Sequence, residues 1–205
     1  MKIRKIVITG GPCGGKSSAL DRIKAVFSEK GYTVLIIAET ATELISGGVT
    51  PWGCRTTLDY QTVQMKLQRF KERMFEDAAR TMDAEQILIV CDRGAMDNRA
   101  YMTAENFETL MQELGCTEQS LIDEYDAIFH LVTAAKGAEQ FYTTANNAAR
   151  IETVAEAVAL DDRVLEAWAR HPHRVVIDNS TDFCEKLDRL TMAIEAFLKR
   201  REAEA

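Results

Sequence analysis

Gly10-Gly11-Pro12-Cys13-Gly14-Gly15-Lys16-Ser17 spells G-x-x-x-x-G-K-[ST], the spacing of a loop that wraps phosphate. Each residue type has a task there. Glycines let the backbone curl around an anion and turn several N–H groups towards it. A helix that starts at the lysine adds the positive end of its dipole. The Lys16 ammonium can reach the outer phosphates, and the Ser17 hydroxyl can ligate Mg²⁺. A Gly-rich turn with a chance lysine is the plain alternative. The context opposes it: the strand-like Ile3–Thr9 run precedes the loop, and Leu20, Ile23, Val26 and Phe27 follow at helical spacing.

Other residues that can do chemistry stand where apolar runs end. Asp92 closes the run Gln86–Cys91 and can hold Mg²⁺ directly or through water, or else serve as a turn acid. Arg93 beside it can bind a substrate group or pair with a local carboxylate. Glu39 closes Tyr32–Ala38 and can take a proton from a hydroxyl attacking the γ-phosphate, or cap the next helix. Trp52 and Arg55 lie in a Pro- and Gly-punctuated loop; Trp52 either stacks on a planar substrate or belongs to the core. The segment 133–150 is small, polar and poorly periodic, and reads as a loop or mobile lid carrying Lys136 and Arg150. Arg150 opens a helix, where the dipole disfavours a cation. It can clamp transferring phosphate or pair with Glu152.

The elements that must position these residues alternate. Strands are predicted at 3–9, 32–38, 86–91, 127–132 and 174–177. Helices are predicted after the loop, at 41–45, 57–82, 105–114, 118–124, 151–171 and around Leu187, Leu190, Ile194 and Phe197. In the long helix, Val63, Leu67, Phe70, Met74, Ala78 and Met82 share one apolar face; in the helix from 151, Val154, Val158, Leu165 and Trp168 point inward. Alternating strands and helices imply an α/β fold, a parallel sheet with helices on both faces. Ligand then lies at the carboxyl ends of the strands, at Gly10–Ser17, Glu39, Asp92, Arg93, Thr133 onward and Asn179.

At 205 residues the chain reads as one domain, 1–205, with a full core. A formal net charge of −7 argues against a sequence-independent nucleic-acid binder and leaves room for local basic patches at a site. The five cysteines lack C-x-x-C spacing, so neither a zinc site nor a disulfide framework is expected. Cys13, in the loop, is a candidate oxidisable thiol. His130 reads as core, and His171 and His173 carry no metal spacing. With no apolar run near membrane-span length and no leader before the first strand, a reducing cytoplasm is expected, with no membrane partner.

The start I-V-I-T-G-G-P-C-G-G-K-S-S, T-P-W-G-C-R, C-D-R-G and K-G-A-E-Q-F-Y-T-T-A-N-N-A-A-R-I-E together resemble a small AAA-type P-loop domain family. Its relatives include the nicotinamide riboside kinase module of the bacterial NAD regulator and the N-terminal module of the TRPL translocation-defect protein. The resemblance covers nearly the whole chain. It implies a three-layer P-loop NTPase fold similar to nucleoside and thymidylate kinases, with five parallel strands in the order 2-3-1-4-5. It puts nucleotide phosphates on Gly10, Gly11, Pro12, Cys13, Gly14, Gly15, Lys16, Ser17 and Ser18, Mg²⁺ near Ser17 and Asp92, substrate near Glu39 and Arg93, and Arg150 in the lid. The expectation is a Mg²⁺-dependent kinase using ATP or GTP on a small nucleoside-like hydroxyl, with Lys16, Glu39, Asp92, Arg93 and Arg150 as catalytic candidates. The other reading is a nucleotide-binding switch or scaffold with slow or no hydrolysis. A homodimer is compatible with either.

Overall fold

A computed structural model of the chain describes residues 1–141 and 153–203. Five parallel strands make one sheet in the order β2-β3-β1-β4-β5. The strands are β1 (Lys2–Thr9), β2 (Thr33–Ile37), β3 (Gln86–Asp92), β4 (Ala127–Leu131) and β5 (Arg174–Ile177). They alternate with α1 (Lys16–Glu29), α2 (Thr40–Ser46), α3 (Thr57–Thr81), α4 (Ala104–Leu114), α5 (Glu118–Ile122), α6 (Val154–Ala167) and α7 (Phe183–Ala203). A 3-10 segment, Ala95–Tyr101, follows β3, and a short 3-10 turn spans Glu139–Phe141.

The central strands read as unbroken apolar runs because both of their faces are covered. Ile6 and Ile8 of β1, Leu88 and Val90 of β3, and Phe129 and Leu131 of β4 point to one face. There they meet Ile23 and Phe27 of α1 and Leu190, Ile194 and Phe197 of α7. Val7, Ile87, Ile89, Cys91 and Ile128 point the other way, onto Met65 of α3, Phe107 and Leu110 of α4, and Trp168. The period of two along each strand thus builds two cores, and the result is a three-layer α/β fold.

Two predicted packing faces are turned differently. In α3 the apolar stripe looks outward: Val63, Phe70, Met74 and Met82 are exposed. The face against the sheet carries Tyr60, Gln61, Gln64, Met65, Gln68, Glu72 and Ala79. The reason lies in β1 and β3. Lys5 is buried in the sheet, and its ammonium needs carboxylates, found at Glu72 (3.2 Å) and Glu76 (2.6 Å). Glu72 also accepts from Tyr125 Oη at 3.0 Å and Gln68 Nε2 at 3.1 Å. Burial pushes the Glu72 carboxyl up, against the pull of Lys5. A charge taken out of water must be paired and fully hydrogen-bonded, so α3 presents polar side chains inward. In α6, Val154 is exposed, and the buried face is Ala157, Leu160, Asp161, Val164 and Ala167. The root of the predicted lid is also packed: Thr133, Ala134 and Ala135 are buried. The rest of that segment, from 142 to 150, lies outside the described residues.

The turn after β3 is held from three sides. Asp97 accepts from Thr9 Oγ1 and Trp168 Nε1, both at 2.7 Å, and from the Gly94 N–H at 3.1 Å. Gly94 leaves no room for a side chain. A Cβ there meets Trp168 Cζ2 at 2.6 Å and Val7 Cγ2 at 2.9 Å, both rigid core groups. Gly94→Ala is therefore expected to destabilise the chain by about 1–3 kcal/mol, the usual cost of overpacking. A thermal melt reads this as about 2–4 °C lost per kcal/mol, and an unchanged midpoint rules out the close packing.

Candidate nucleotide and phosphate site

The site grows from the junction of β1 and α1. Gly10 has φ 133°, and a Cβ on it meets the Leu131 carbonyl oxygen at 2.0 Å. Only glycine lets the loop turn this close to β4. Gly15, at φ 90°, then starts α1 with no side-chain cap and no acid in the first turn. The contrast with other helices is plain. α3, α4, α5 and α6 each begin at a threonine, Thr56, Thr103, Thr117 or Thr153, whose side chain accepts a backbone N–H of the first turn. The N–H groups opening α1 are left to another acceptor, with the dipole pointing the same way. Ser17 and Ser18 are exposed at this end.

Lys16 curls back over the loop and donates to the carbonyls of Gly10 (3.2 Å) and Gly11 (3.0 Å). Burial and then the Arg93 guanidinium lower its pKa to about 8, against the opposing pull of Glu39 and Asp92. Arg93 sits in the left-handed region at φ 72°, uncommon for a side chain of this size. Its backbone N–H donates to the Ile8 carbonyl at 3.0 Å, and three further bonds hold it there. Gln68 Nε2 donates to its carbonyl at 3.1 Å, its Nε donates to Glu39 Oε1, and its Nη1 donates to the Gly10 carbonyl at 3.3 Å. Glu39 also accepts from Thr42 Oγ1 at 2.6 Å. Burial alone raises the Glu39 pKa, but Arg93, Lys16 and Thr42 hold it at about 2.

Asp92 lies across from Ile8 of β1 in the sheet register, one strand from the loop. Its Oδ1 is buried with no hydrogen-bond partner. Burial pushes its pKa up to about 6, although Lys16 pulls it down. An acid at a strand end with an unmet buried oxygen suits a cation. Among the described residues no group of three or more His, Cys, Asp or Glu could hold a metal. A Mg²⁺ ion held by Ser17 and Asp92 would thus take most of its oxygens from phosphate and water, as this ion does.

Sequence reasoning missed three residues that hold the loop. Asp161 of α6, fully buried, accepts from the Gly11 N–H at 2.7 Å, the Thr133 N–H at 3.3 Å and Lys136 Nζ at 2.8 Å, and bonds His130 Nε2 at 3.0 Å. Burial raises its pKa, but His130, Lys136 and Gly11 together hold it well below the carboxylate range. Lys186 of α7 donates to the carbonyls of Gly14 (3.2 Å) and Val132 (2.7 Å) and to Asn179 Oδ1 (2.7 Å). Asp97 is the third. The signal for two of them was a charge on an apolar helical face, Asp161 among Ala157, Leu160 and Val164, and Lys186 in line with Leu190, Ile194 and Phe197. Asp97 sits in an unperiodic stretch and gave none.

The other candidates divide. Thr133 Oγ1 donates to the Pro12 carbonyl, and Asn179 Nδ2 donates to the carbonyls of Thr133 (2.8 Å) and Lys136 (2.7 Å), so both brace the loop. Lys136 pairs with Asp161 and Asp162. Cys13, at φ 55°, is half-buried and in no disulfide. Trp52 is 68% exposed and therefore not core, and Arg55 is exposed beside it. Arg150 lies outside the described residues. No described helix is long and apolar enough to cross a membrane.

The comparison with curated proteins gives no match. Among protein families, residues 5–186 match the AAA domain, a span that runs from β1 to the Lys186 contact under Gly14. With a phosphate loop between β1 and α1, a central β1 and the strand order β2-β3-β1-β4-β5, the chain belongs to the AAA domain family, as a P-loop nucleotide-binding domain.

Proposed function

We propose that this domain is a Mg²⁺- and NTP-dependent kinase that moves the γ-phosphate of ATP or GTP to the hydroxyl of a small nucleoside-like acceptor. The carrying observation is the Arg93–Glu39 ion pair beside Lys16. A nucleotide-binding loop needs no half-buried carboxylate–guanidinium pair at its mouth, whereas an acceptor-binding enzyme has a use for one. Unmet polar atoms support the same reading. Tyr60 Oη and Gln61 Oε1 are buried on α3 without partners, and burial, with the Glu39 carboxylate near it, pushes the Tyr60 phenol up. Leaving such groups unpaired costs about 1–3 kcal/mol each, so a polar acceptor has bonds to make there.

The chain's own residues have distinct tasks in this scheme. The loop and the start of α1 bind the phosphates. Lys16 exchanges its Gly10 and Gly11 carbonyls for phosphate oxygen. Ser17 and Asp92 would hold Mg²⁺, which neutralises phosphate charge when bound. Glu39 accepts a hydrogen bond from the acceptor hydroxyl and aims Arg93 at the transferring group. At a pKa of about 2 its carboxylate is a weak base, and phosphoryl transfer relies mainly on position and charge. That same weak basicity favours the second reading, a nucleotide-binding switch with slow or no turnover. Arg150 keeps its place in the proposed lid, whose root at Thr133, Ala134 and Ala135 is packed.

The two readings part on Glu39. In the kinase, Glu39→Gln leaves nucleotide affinity nearly unchanged and slows transfer by about 10²-fold, the low end for a positioned acid–base group. Asp92→Asn instead weakens the Mg²⁺ dependence of nucleotide binding. Since Glu39 stays ionised down to about pH 2, it puts no acid limb on the transfer rate near neutrality. A coupled assay with nucleosides and ATP or GTP measures these effects. Equal turnover by wild type and Glu39→Gln removes Glu39 from the reaction, and no turnover with any acceptor leaves the switch. A thermal-shift screen with Mg²⁺ separates ligands first, because a hundredfold excess over Kd adds about 2.7 kcal/mol.

Lys16 yields a pH dependence. Its ammonium loses its proton near pH 8 in the free protein, and bound phosphate favours the charged form. Affinity is therefore full below pH 8 and falls as pH rises above it, by up to about tenfold per unit, with proton uptake on binding. Calorimetry in buffers of different ionisation heats detects the proton. Lys16→Ala is expected to lower affinity strongly, keep the fold and abolish the pH step; a folded variant with wild-type affinity contradicts the phosphate role.

A further inference from the structure

The outward face of α3 carries a row of apolar side chains. Val63 is 44% exposed, Phe70 51%, Met74 44% and Met82 38%, and Leu67 is half-buried between them. Of the large apolar side chains exposed among the described residues, no other helix carries such a row. Its regular period is that of a packing face, while the opposite side of the same helix is filled with glutamines and Glu72. A row of this kind on a water-facing helix marks an interaction surface.

We infer that α3 is the interface of a homodimer, in which two copies pack this face antiparallel about a two-fold axis near Phe70 and Met74. Charge placement selects both the occupant and the direction. Lys66 and Asp77 are exposed on the same flank of the stripe. When Phe70 lies opposite the partner's Met74, Lys66 lies within about one residue rise of the partner's Asp77, and the symmetry repeats the pair. Parallel pairing would instead leave Lys66 about 16 Å along the axis from the partner's Asp77. In each copy Lys66 now bonds Glu113 and Asp77 bonds Arg80, exposed pairs that are cheap to exchange. The chain carries a net −7, but on this face Lys66, Arg73 and Arg80 outnumber Asp59 and Asp77 by one charge. The area also suffices. A helix of 25 residues is about 37 Å long. Two of them with flanking side chains cover roughly 600–800 Å² per partner, a small specific interface.

The same helix reaches the phosphate site from its other side. Gln68 holds the Arg93 carbonyl, and Lys71 Nζ donates to the Ala38 carbonyl at 3.0 Å, just before Glu39. Pairing through α3 thus fixes the helix that positions both members of the Arg93–Glu39 pair, independently of what the site transfers.

Light scattering and sedimentation over micromolar concentrations test the inference. The expected mass is twice 23.0 kDa. Phe70→Glu and, as an independent variant, Met74→Glu are expected to raise the dimer Kd by about 30-fold or more, as loss of a central anchor does. Both change exposed positions, so circular dichroism melts stay near wild type. Lys66→Asp and Asp77→Lys each weaken the dimer by about 3–10-fold, and the double reversal restores it. A monomer at all concentrations, a dimer indifferent to both Glu variants, or a different protein needed to cover the face overturns the inference. A double reversal no better than the singles overturns the antiparallel register.

Discussion

One carboxylate holds the phosphate loop to the rest of the molecule. Asp161 gathers the Gly11 N–H, the Thr133 N–H, His130 and the Lys136 ammonium around a single buried group. A buried charge costs several kcal/mol unless it is met on all sides, so this one tolerates few arrangements. It ties together the loop, the end of β4, the root of the segment beyond residue 133, and α6. The loop therefore has a fixed shape before any anion arrives. Only the ammonium of Lys16 and the amides that open α1 still have something to exchange. Preorganisation of this sort is what makes a backbone cradle strong, since little must be reordered when charge appears in it.

The same logic governs α3, where a buried cation dictates which side of a helix faces the sheet. Lys5 lies in the middle of β1, and Glu72 and Glu76 neutralise it while Tyr125 lies against it, the ammonium 4.6 Å from the ring centre. Gln68 carries the polar network one turn further, to the carbonyl of Arg93. Arg93 pays for a left-handed backbone, and that bond helps hold it there. A polar seam thus runs beneath the site, and the Val63, Phe70 and Met74 stripe of α3 is left for the outside. Core packing and site geometry compete for one helix, and here the site takes the inner face.

Much of the architecture was legible in the sequence because it rests on local signals. The strand-loop-helix around Gly10–Ser17 needs only spacing and φ-permissive glycines. The alternating layers follow from β-branched runs such as Ile87–Val90 set between helical periods. Asp92 and Arg93 were visible as charges ending such a run. The misreadings share a physical cause. Periodicity shows that Val63, Phe70 and Met74 lie on one side of a helix, but not which way that side turns, and a lysine 58 positions before Val63 decides it. The clamp of Asp161 and the strut of Lys186 were hidden because their partners are distant in the chain. Trp52 looked equally fit for core or stacking, since an isolated aromatic in a loop has no periodic neighbours to place it.

Distance along the chain has a consequence for the order in which the loop matures. Asp161 is 150 residues from Gly11, and Lys186 is 172 residues from Gly14. The glycine-rich segment leaves the ribosome well before the groups that hold it. A nascent chain that stops short of α7 has a sheet without the strut beneath Gly14. Contacts so far apart carry a large closure cost and form late. The earliest synthesised part of the site is thus the latest to be finished.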